Sequence, residues 1–256
     1  MRRVIIYCLL LLLFTVTVFA TRHFANANNV KKQPVNATGF AVVELFTSEG
    51  CSSCPPADEA VAEILDDYKS GVYVLGFHVD YWNSLGWRDI YSNSAYSQRQ
   101  QLYSNLFKLS SVYTPQAIVN GKIEFTGSNK TKLHAVVENE LTQATAASIT
   151  VVANCTDNKN VNVSYQLTPP PSNILNIALV QLHAQSNVQK GENSGRVLRH
   201  VNVVRDFKTI SANSQQGNLT LQLPEGLSAK DCKIIAYVQD GQLYKILAAT
   251  DTDIRF

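Results

Sequence analysis

Apolar positions in the first half of the chain predict strands and helices in alternation. The continuous run from Ala41 to Thr47 predicts a buried strand, and a second β-rich run extends from Val72 to Val79. Between them, apolar residues recur at helical spacing, which predicts a helix over residues 55–69. Two strands joined by a helix indicate a βαβ crossover with parallel pairing.

Further segments complete this first unit. Helical spacing recurs around residues 95–106 and again over about 130–146. Between these two helices, short β runs flank Asn120 and Gly121, and an Asn-Gly pair in that position predicts a hairpin with a type I′ turn. The predicted element order over residues 39–147 is therefore β-α-β-α-β-β-α.

After residue 147 the pattern changes to short alternating runs without a helical segment. The runs are separated by turn signals and cover residues 149–153, 161–167, 174–182, 201–207, 219–223, 233–238 and 243–248. Short strands at this spacing predict an antiparallel sandwich. We therefore expect two domains, the first over residues 39–147 and an all-β antiparallel sandwich over residues 148–256.

Residues 1–20 have the pattern of a secretory signal peptide. An Arg pair precedes an apolar run over residues 4–20 that ends in a small-residue cleavage pattern, with a cut after Ala27 as the alternative. An uncleaved anchor is the alternative to removal. Residues 21–38 lack apolar periodicity, and we expect a solvated leader. The predicted localisation is periplasmic or secreted, with membrane contact only through the signal segment before cleavage.

Composition and charge exclude several classes of protein. The 256 residues include 22 Lys and Arg against 20 Asp and Glu, so the formal net charge is +2, and the two Arg of the predicted signal account for that excess. Charged residues make up 16% of the chain. This low and balanced charge excludes an intrinsically disordered chain and a polybasic nucleic-acid binder. We expect no nucleic-acid partner.

Four cysteines remain after Cys8, which lies in the predicted signal. Cys51 and Cys54 are separated by two serines where the first predicted strand meets its helix. This spacing lets two sulfurs bond, and a helix amino terminus stabilises a thiolate, so the pattern predicts a redox pair. Cys155 and Cys232 border β runs, and we predict a structural disulfide between them in preference to a role in electron relay.

Motifs in both halves of the chain point to one family. In the first half they are Phe46–Asp58, His78–Trp82 and Tyr113–Gln116; in the second they are Gly191–Arg196 followed by Leu198, His200, Asn202, Val203, Val204 and Arg205. Together these segments resemble an uncharacterised family of secreted bacterial proteins with a thioredoxin-like domain. The resemblance implies a fold class of a thioredoxin-like α/β domain followed by the β-sandwich domain. It implies no substrate.

The resemblance also implies roles for residues of the cysteine motif. Cys51 would be the exposed attacking thiolate, Cys54 the resolving thiol, and Pro115 a cis-proline beside the disulfide. A cis bond after Thr114 would present an unpaired backbone edge to a substrate strand, and a trans turn is the alternative. If Pro55 is the first helical residue, Cys54 is the helix cap and Cys51 precedes the helix.

Polar and aromatic residues after the second predicted strand lie at the sheet edge that carries the cysteines. The possible site-lining residues are His78, Asp80, Trp82 and Trp87, with His78 or Asp80 moving protons. The alternative is that the tryptophans pack under the insertion and Asp80 caps a turn. A basic cluster of Arg196, Arg199, His200 and Arg205 is predicted to bind an anion, to face the first domain or to form a solvated face.

The leading functional hypothesis is an extracytoplasmic thiol–disulfide oxidoreductase that uses Cys51 and Cys54 on protein or small thiol substrates. Its partners would be a thiol or disulfide substrate and an unidentified electron partner, and we expect no cofactor and no metal. One alternative is a copper-binding metallochaperone in which His78 or His134 reaches the cysteine pair. Another is a non-catalytic envelope-binding module whose disulfide between these cysteines is only structural.

Overall fold

The computed structural model describes residues 39–145, 147–168 and 173–256. The predicted signal peptide and leader, residues 1–38, lie outside the described residues. The described residues belong to one compact unit, Asn36–Phe256. Within these ranges, no helix combines the length and the apolar character needed to cross a membrane.

Two parallel strands and the helix between them carry the cysteine pair. β1 (Ala41–Thr47) pairs in parallel with β2 (Val72–His78), so that Thr47 lies opposite His78 at the carboxyl ends. α1 (Pro55–Asp67) connects them and buries its apolar face against the sheet. The predicted βαβ crossover is present. Because parallel strands end at the same edge, the loops that follow β1 and β2 meet there.

The rest of the first half supplies a short 3₁₀ helix, two α-helices and a hairpin. The elements are a 3₁₀ helix (Tyr81–Leu85), α2 (Ser94–Leu106), β3 (Gln116–Val119), β4 (Ile123–Thr126) and α3 (Lys130–Leu141). β3 is antiparallel to both β1 and β4. Asn120 and Gly121, which connect β3 to β4, both have positive φ, as a type I′ turn requires. The predicted hairpin is confirmed.

Among the described residues, the second half contains seven strands. They are β5 (Ser148–Cys155), β6 (Asn160–Thr168), β7 (Asn173–Asn187), β8 (Val197–Ala212), β9 (Gln216–Gln222), β10 (Cys232–Gln239) and β11 (Ile246–Arg255), with a 3₁₀ helix (Ala229–Asp231) before β10. Each predicted run overlaps one of these strands. β7 and β8 extend well beyond their predicted bounds and form a long antiparallel pair.

The strands described in both halves belong to one mixed sheet of eleven, in the order β4-β3-β1-β2-β8-β7-β10-β11-β5-β6-β9. The halves join where β2 pairs in parallel with β8, at Gly76 opposite Val203. Farther along, β11 pairs antiparallel with β10 and in parallel with β5, where Ile254 lies opposite Ala153. The predicted fold class, a thioredoxin-like α/β domain followed by a separate antiparallel sandwich, is therefore wrong.

A core shared by both halves explains why they do not form separate domains. Phe46 and Phe77 of the first half pack in one cluster with Val180 of β7 and Tyr237 of β10, and Tyr103 of α2 belongs to the same cluster. On the opposite face, α1 and α3 cover the first-half strands, while β5, β6 and β9 cover β7 and β10. Separating the halves would expose the shared apolar face, at a cost of about 25 cal/mol for each Å².

A buried ion pair lies within this shared core. Arg99 of α2 donates two hydrogen bonds to the carboxylate of Glu44 in β1, at 2.7 and 2.8 Å, and a third to the hydroxyl of Tyr237 in β10 at 2.9 Å. Burial alone would lower the pKa of Arg99, but the Glu44 carboxylate outweighs it and raises that pKa well above its ordinary value. The guanidinium is therefore a charged link between the two halves.

Candidate functional site

The cysteine loop, residues 48–54, connects β1 to α1. Cys54 is the N-cap of α1 and Pro55 is the first helical residue, so Cys51 precedes the helix, as expected from the proline position. A disulfide joins the two cysteines, whose Cα atoms are 5.4 Å apart. The backbone N–H of Cys54 donates to the carbonyl oxygen of Cys51 at 3.2 Å. The disulfide thus closes a tight turn at the amino end of α1.

Both cysteines are sealed from solvent in this oxidised state. Cys51 and Cys54 each have a relative exposure of 0%, while Ser52 and Ser53 between them are exposed. The Cys51 sulfur is 3.4 Å from the hydroxyl of Ser53. The implied role of Cys51 as an exposed thiolate is therefore wrong for this state, and a reaction at either sulfur requires the surrounding structure to move.

A loop of the second half of the chain packs against the cysteine loop. Residues 188–196, which join β7 to β8, form what we call the covering loop. Its Asn193 is fully buried, and the side-chain amide donates to the carbonyl oxygens of Glu49 at 2.8 Å and Cys51 at 2.9 Å. Arg196 donates to the amide oxygen of Asn193 at 2.9 Å and fixes its orientation. The covering loop therefore holds the cysteine loop closed through side-chain hydrogen bonds to its backbone.

The rim of the covering loop makes two more contacts. The exposed carboxylate of Glu192 accepts a hydrogen bond from the N–H of Ser52 at 3.0 Å, and the side chain and the backbone of Ser52 together lower the pKa of Glu192. Gly191 has a φ of 75°, and a Cβ added there would lie 3.2 Å from the Cβ of Trp87. A glycine at this position satisfies both the left-handed backbone and the close approach.

Three buried titratable side chains converge beside the cysteine loop. Glu49 precedes Cys51 by two residues, Asp58 follows Cys54 by one turn of α1, and His200 comes from β8. Nε2 of His200 is 3.7 Å from Glu49 Oε1, and its Nδ1 is 3.4 Å from Asp58 Oδ2. Burial alone would lower the pKa of His200, but the two carboxylates outweigh burial and raise that pKa to about 10. His200 is therefore an imidazolium at neutral pH.

A second imidazole extends this cluster toward β2. The rings of His78 and His200 have centroids 4.7 Å apart. His78 Nδ1 donates to Asp89 Oδ2 at 2.7 Å, and the same oxygen accepts from the N–H of Glu49 at 2.9 Å. Trp87 donates from its indole nitrogen to the Glu49 carboxylate at 2.7 Å. A polar network thus runs from the end of β2 to the cysteine loop.

Several buried polar atoms of this cluster have no hydrogen-bond partner among the described residues. They are Thr47 Oγ1, Glu49 Oε1, His78 Nε2 and both ring nitrogens of His200. Leaving a buried polar atom unsatisfied costs about 1–3 kcal/mol, and native proteins contain few such atoms. Their concentration beside one disulfide, together with the raised pKa of His200, is typical of a functional site.

Asp89 gives the cluster a defined response to acid. Burial alone would raise the pKa of Asp89, but the adjacent His78 and the hydrogen bonds from the backbone of Glu49 and Tyr91 hold that pKa below its ordinary value. A lowered native pKa stabilises the fold above the unfolded pKa, near 4, and this stabilisation is lost as the pH falls through the native pKa.

We therefore expect Asp89→Asn to lose less stability than the wild type as the pH falls from about 5 to 2. The measurement is the free energy of unfolding by denaturant at each pH. Asp66→Asn, which alters an exposed carboxylate of α1, is the matched control and should keep the wild-type acid dependence. The same acid dependence in Asp89→Asn and the wild type would contradict the assignment.

The structure places Trp82 against the cysteine loop and Asp80 elsewhere. A Cβ added to Gly50 would lie 3.1 Å from the Cβ of Trp82, and the indole nitrogen of Trp82 donates to the hydroxyl of Thr114 at 2.8 Å. The carboxylate of Asp80 instead accepts a hydrogen bond from the hydroxyl of Ser97 in α2 at 2.5 Å. Of the predicted lining residues, His78, Trp82 and Trp87 thus contact the cluster or the cysteine loop, while Asp80 binds α2.

Pro115 also lies near the cysteine loop. The Thr114–Pro115 peptide bond is cis, as the resemblance implied. A Cβ added to Gly127 would lie 3.4 Å from the Cβ of Pro115 and 3.3 Å from that of Ala57 in α1. Gly127 therefore lies between Pro115 and the first turn of α1. Trp82 contacts both Thr114 and the cysteine loop.

The distant cysteines do not form the predicted disulfide. Cys155 and Cys232 are free, buried thiols in the core between β5, β6 and β9 on one side and β7 and β10 on the other. Burial raises the pKa of Cys232 to about 12, so this thiol is protonated and inert at neutral pH. Both side chains act as small apolar groups in the core.

The metal-binding alternative gains no support from the part of the chain that the structure describes. No group of three or more His, Cys, Asp or Glu there is placed to hold a metal ion. His134 lies 3.8 Å from Asp67 at the carboxyl end of α1. That end is roughly 20 Å from the cysteines, given the rise of an α-helix.

Sequence reasoning assigned no role in the cysteine site to four residues that build it. Glu49 and Asp58 flank the cysteines within the first resembling motif, and Asn193 and His200 lie within the motifs of the second half. Their presence in those motifs was the available signal. The predicted division into two domains obscured this signal. It left three interpretations open for the basic cluster that contains His200, and contact with the first domain was only one of them.

Comparison with solved structures identifies a protein of similar fold. The chain resembles the crystal structure of an Agrobacterium tumefaciens protein, with a TM-score of 0.64 and 24% identity over 86% of this chain and 95% of that one. At this identity the likeness shows the fold alone. A domain of the outer membrane lipoprotein Omp28 from Porphyromonas gingivalis matches with a TM-score of 0.25 and 16% identity over 44% of this chain and 91% of that one, which carries no argument.

Comparison with protein families covers most of the chain. No curated protein matches it. A family model described as "Protein of unknown function (DUF1223)" matches residues 42–239. This range includes the cysteine loop, the covering loop and His200. The chain therefore belongs to the DUF1223 family of proteins of unknown function.

Proposed function

We propose that the protein is an extracytoplasmic thiol–disulfide oxidoreductase with Cys51 and Cys54 as its reactive pair. One observation carries the proposal: the Cys51–Cys54 disulfide lies beside a buried cluster of acid and base groups formed by Glu49, Asp58 and His200. Reduction of a disulfide produces thiolates that must be protonated. Groups that hold a proton close to a buried disulfide meet that need.

The energetic cost of the cluster supports a chemical role. A purely structural disulfide needs only compatible geometry, and apolar neighbours would stabilise it as well. Here the ionisable groups of Glu49, Asp58 and His200 are instead buried beside it, and the His200 ring nitrogens lie 3.4 and 3.7 Å from the two carboxylates without a hydrogen bond among the described residues. Such costs persist at sites where the groups take part in function.

Access to the sulfurs requires the covering loop to open. In the open state an external thiolate attacks the sulfur of Cys51, a new S–S bond forms, and the Cys51–Cys54 bond breaks with its electron pair on Cys54. A second external thiol then attacks the mixed disulfide, leaves Cys51 reduced and departs as part of the external disulfide. This sequence transfers the disulfide to the substrate, and the reverse sequence reduces a substrate disulfide and re-forms the Cys51–Cys54 bond.

The substrate class is a thiol or disulfide of a protein or a small molecule, and electrons pass between sulfur atoms without a cofactor. The signal-like pattern of residues 1–20 supports a periplasmic or secreted location.

Reduction of insulin disulfides by the purified chain in the presence of dithiothreitol tests this proposal. We expect turnover by the wild type and none above background by Cys51→Ser, because the mixed disulfide cannot form. Cys155→Ala, which removes a buried thiol outside the site, is the matched control and should keep wild-type activity. Equal rates for the wild type and Cys51→Ser would reject the proposal.

A second candidate function follows from the burial of both cysteines. Their 0% exposure favours a non-catalytic binding module in which the disulfide only stabilises the loop. This candidate predicts a reduction potential below about −300 mV, which resists mild reductants. The potential therefore separates the two candidates.

A further inference from the structure

His200 occupies a position that neither burial nor structural pairing explains by itself. It belongs to β8 in the second half of the chain, yet its two ring nitrogens face carboxylates of the first half, Glu49 at 3.7 Å and Asp58 at 3.4 Å. These carboxylates flank the cysteine pair in the sequence, one before Cys51 and one after Cys54. The imidazole therefore bridges the two ends of the segment that contains the disulfide.

Asp58 lies on the same helix face as one of the two cysteines. Cys54 has α-helical backbone angles, φ −78° and ψ −37°, and the N–H of Asp58 donates to the Cys54 carbonyl at 3.2 Å. Residues four apart in such geometry lie on one face of the helix. Because helical side chains lean toward the amino end, the Asp58 carboxylate lies on the side of Cys54.

We propose that His200, acting through Asp58, supplies the proton that the Cys54 sulfur takes up when the disulfide is reduced. This inference rests on the proposed function and adds to it the source of the proton. It also assigns a task to the second half of the chain, which contributes His200 from β8.

The step balances in atoms and electrons. An external thiolate forms a bond to the Cys51 sulfur, and the Cys51–Cys54 bond breaks with its electron pair on the Cys54 sulfur. Asp58 passes the proton of the His200 imidazolium to that sulfur, which leaves a Cys54 thiol and a neutral imidazole. On re-oxidation the proton returns along the same route.

The surroundings of His200 keep its proton available at neutral pH. The groups that face it from the packed elements are Glu49 of the cysteine loop, Asp58 of α1, His78 of β2 with its partner Asp89, and Tyr91, whose ring is 5.9 Å away and lies beneath the guanidinium of Arg205. Burial lowers the pKa of His200, but the carboxylates raise it to about 10. His200 therefore carries the transferable proton below that pH and has lost it above that pH.

The test is the rate of reduction of the Cys51–Cys54 disulfide by dithiothreitol from pH 6 to 11, divided by the thiolate fraction of the reductant. For the wild type we expect the corrected rate constant to be independent of pH up to about pH 10 and to fall above that pH. His200→Gln should be slower at neutral pH by about a hundredfold and should lack the fall, since a positioned proton donor contributes 10² to 10⁴. His183→Gln, an exposed histidine of β7, is the matched control and should behave as the wild type.

Asp58→Asn provides a second route if His200→Gln does not fold, because it keeps the imidazole and removes the carboxylate that passes the proton. It should show the same slow, level profile. A folded variant of either kind with the wild-type profile would overturn the inference and leave the proposed function standing. If dithiothreitol does not reduce the wild-type disulfide at any pH in this range, both the inference and the proposed function are overturned.

Discussion

Replacing Arg99 with methionine is expected to lower the free energy of unfolding by about 3–5 kcal/mol, the cost of breaking a buried ion pair. The substitution leaves the Glu44 carboxylate in the core shared by both halves, without its counter-ion. It also removes the hydrogen bond at 2.9 Å to Tyr237, which links α2 to β10. Denaturant unfolding of the wild type and Arg99→Met gives the difference directly.

A double variant identifies the cause of that loss. Arg99→Met combined with Glu44→Gln removes both charges, and we expect it to recover a large part of the stability because no uncompensated charge stays buried. Lys130→Ala breaks an exposed ion pair with Glu63 and should leave stability unchanged. If Arg99→Met has the same free energy of unfolding as the wild type, the pair of Arg99 and Glu44 does not hold the two halves together.

Replacing Asn193 with alanine should open the cysteine loop. The substitution removes both hydrogen bonds from the covering loop to the carbonyls of Glu49 and Cys51, at an expected cost of about 1–3 kcal/mol. Because 1.4 kcal/mol corresponds to a factor of ten in an equilibrium constant, the open state becomes at least about fivefold more populated. We therefore expect reduction of the disulfide by a small phosphine to accelerate by at least that factor.

The matched control is Ser194→Ala, in the same loop. The hydroxyl of Ser194 donates to the carbonyl of Gln189 within the covering loop at 3.0 Å, and this bond lies outside the contacts to the cysteine loop. The control should be reduced at the wild-type rate. An equal rate for Asn193→Ala and the wild type would mean that another part of the molecule limits access to the sulfurs.

Local structure could be predicted from the sequence, whereas the assembly of the strands could not. Apolar spacing identified α1, and Asn120 with Gly121 identified the hairpin, because both signals arise from neighbouring residues. The partner of each strand depends on contacts between distant residues, such as Gly76 with Val203. The apolar run over residues 174–182 did contain a sign of burial on both faces, since Ala178 and Leu179 pack in different cores.

The candidate site could be predicted in the same partial way. The spacing of Cys51 and Cys54 identified the disulfide, because a turn at a helix start brings such residues together. The burial of the pair, and the contributions of Asn193 and His200, required the pairing of β8 with β2. The predicted disulfide between Cys155 and Cys232 failed although both thiols lie in one core, because a position beside a β run does not fix the geometry between two side chains.

The reduction potential of the Cys51–Cys54 pair tests the central claim most directly. The native chain would be equilibrated in buffers with increasing ratios of reduced to oxidised glutathione, and then in buffers of a stronger dithiol reductant. Each sample would be quenched in acid and alkylated. Mass spectrometry of the peptide that contains both cysteines then gives the fraction reduced. The account predicts a reversible transition between disulfide and dithiol at a potential above about −300 mV. A pair that remains oxidised until the potential falls below about −300 mV would contradict it.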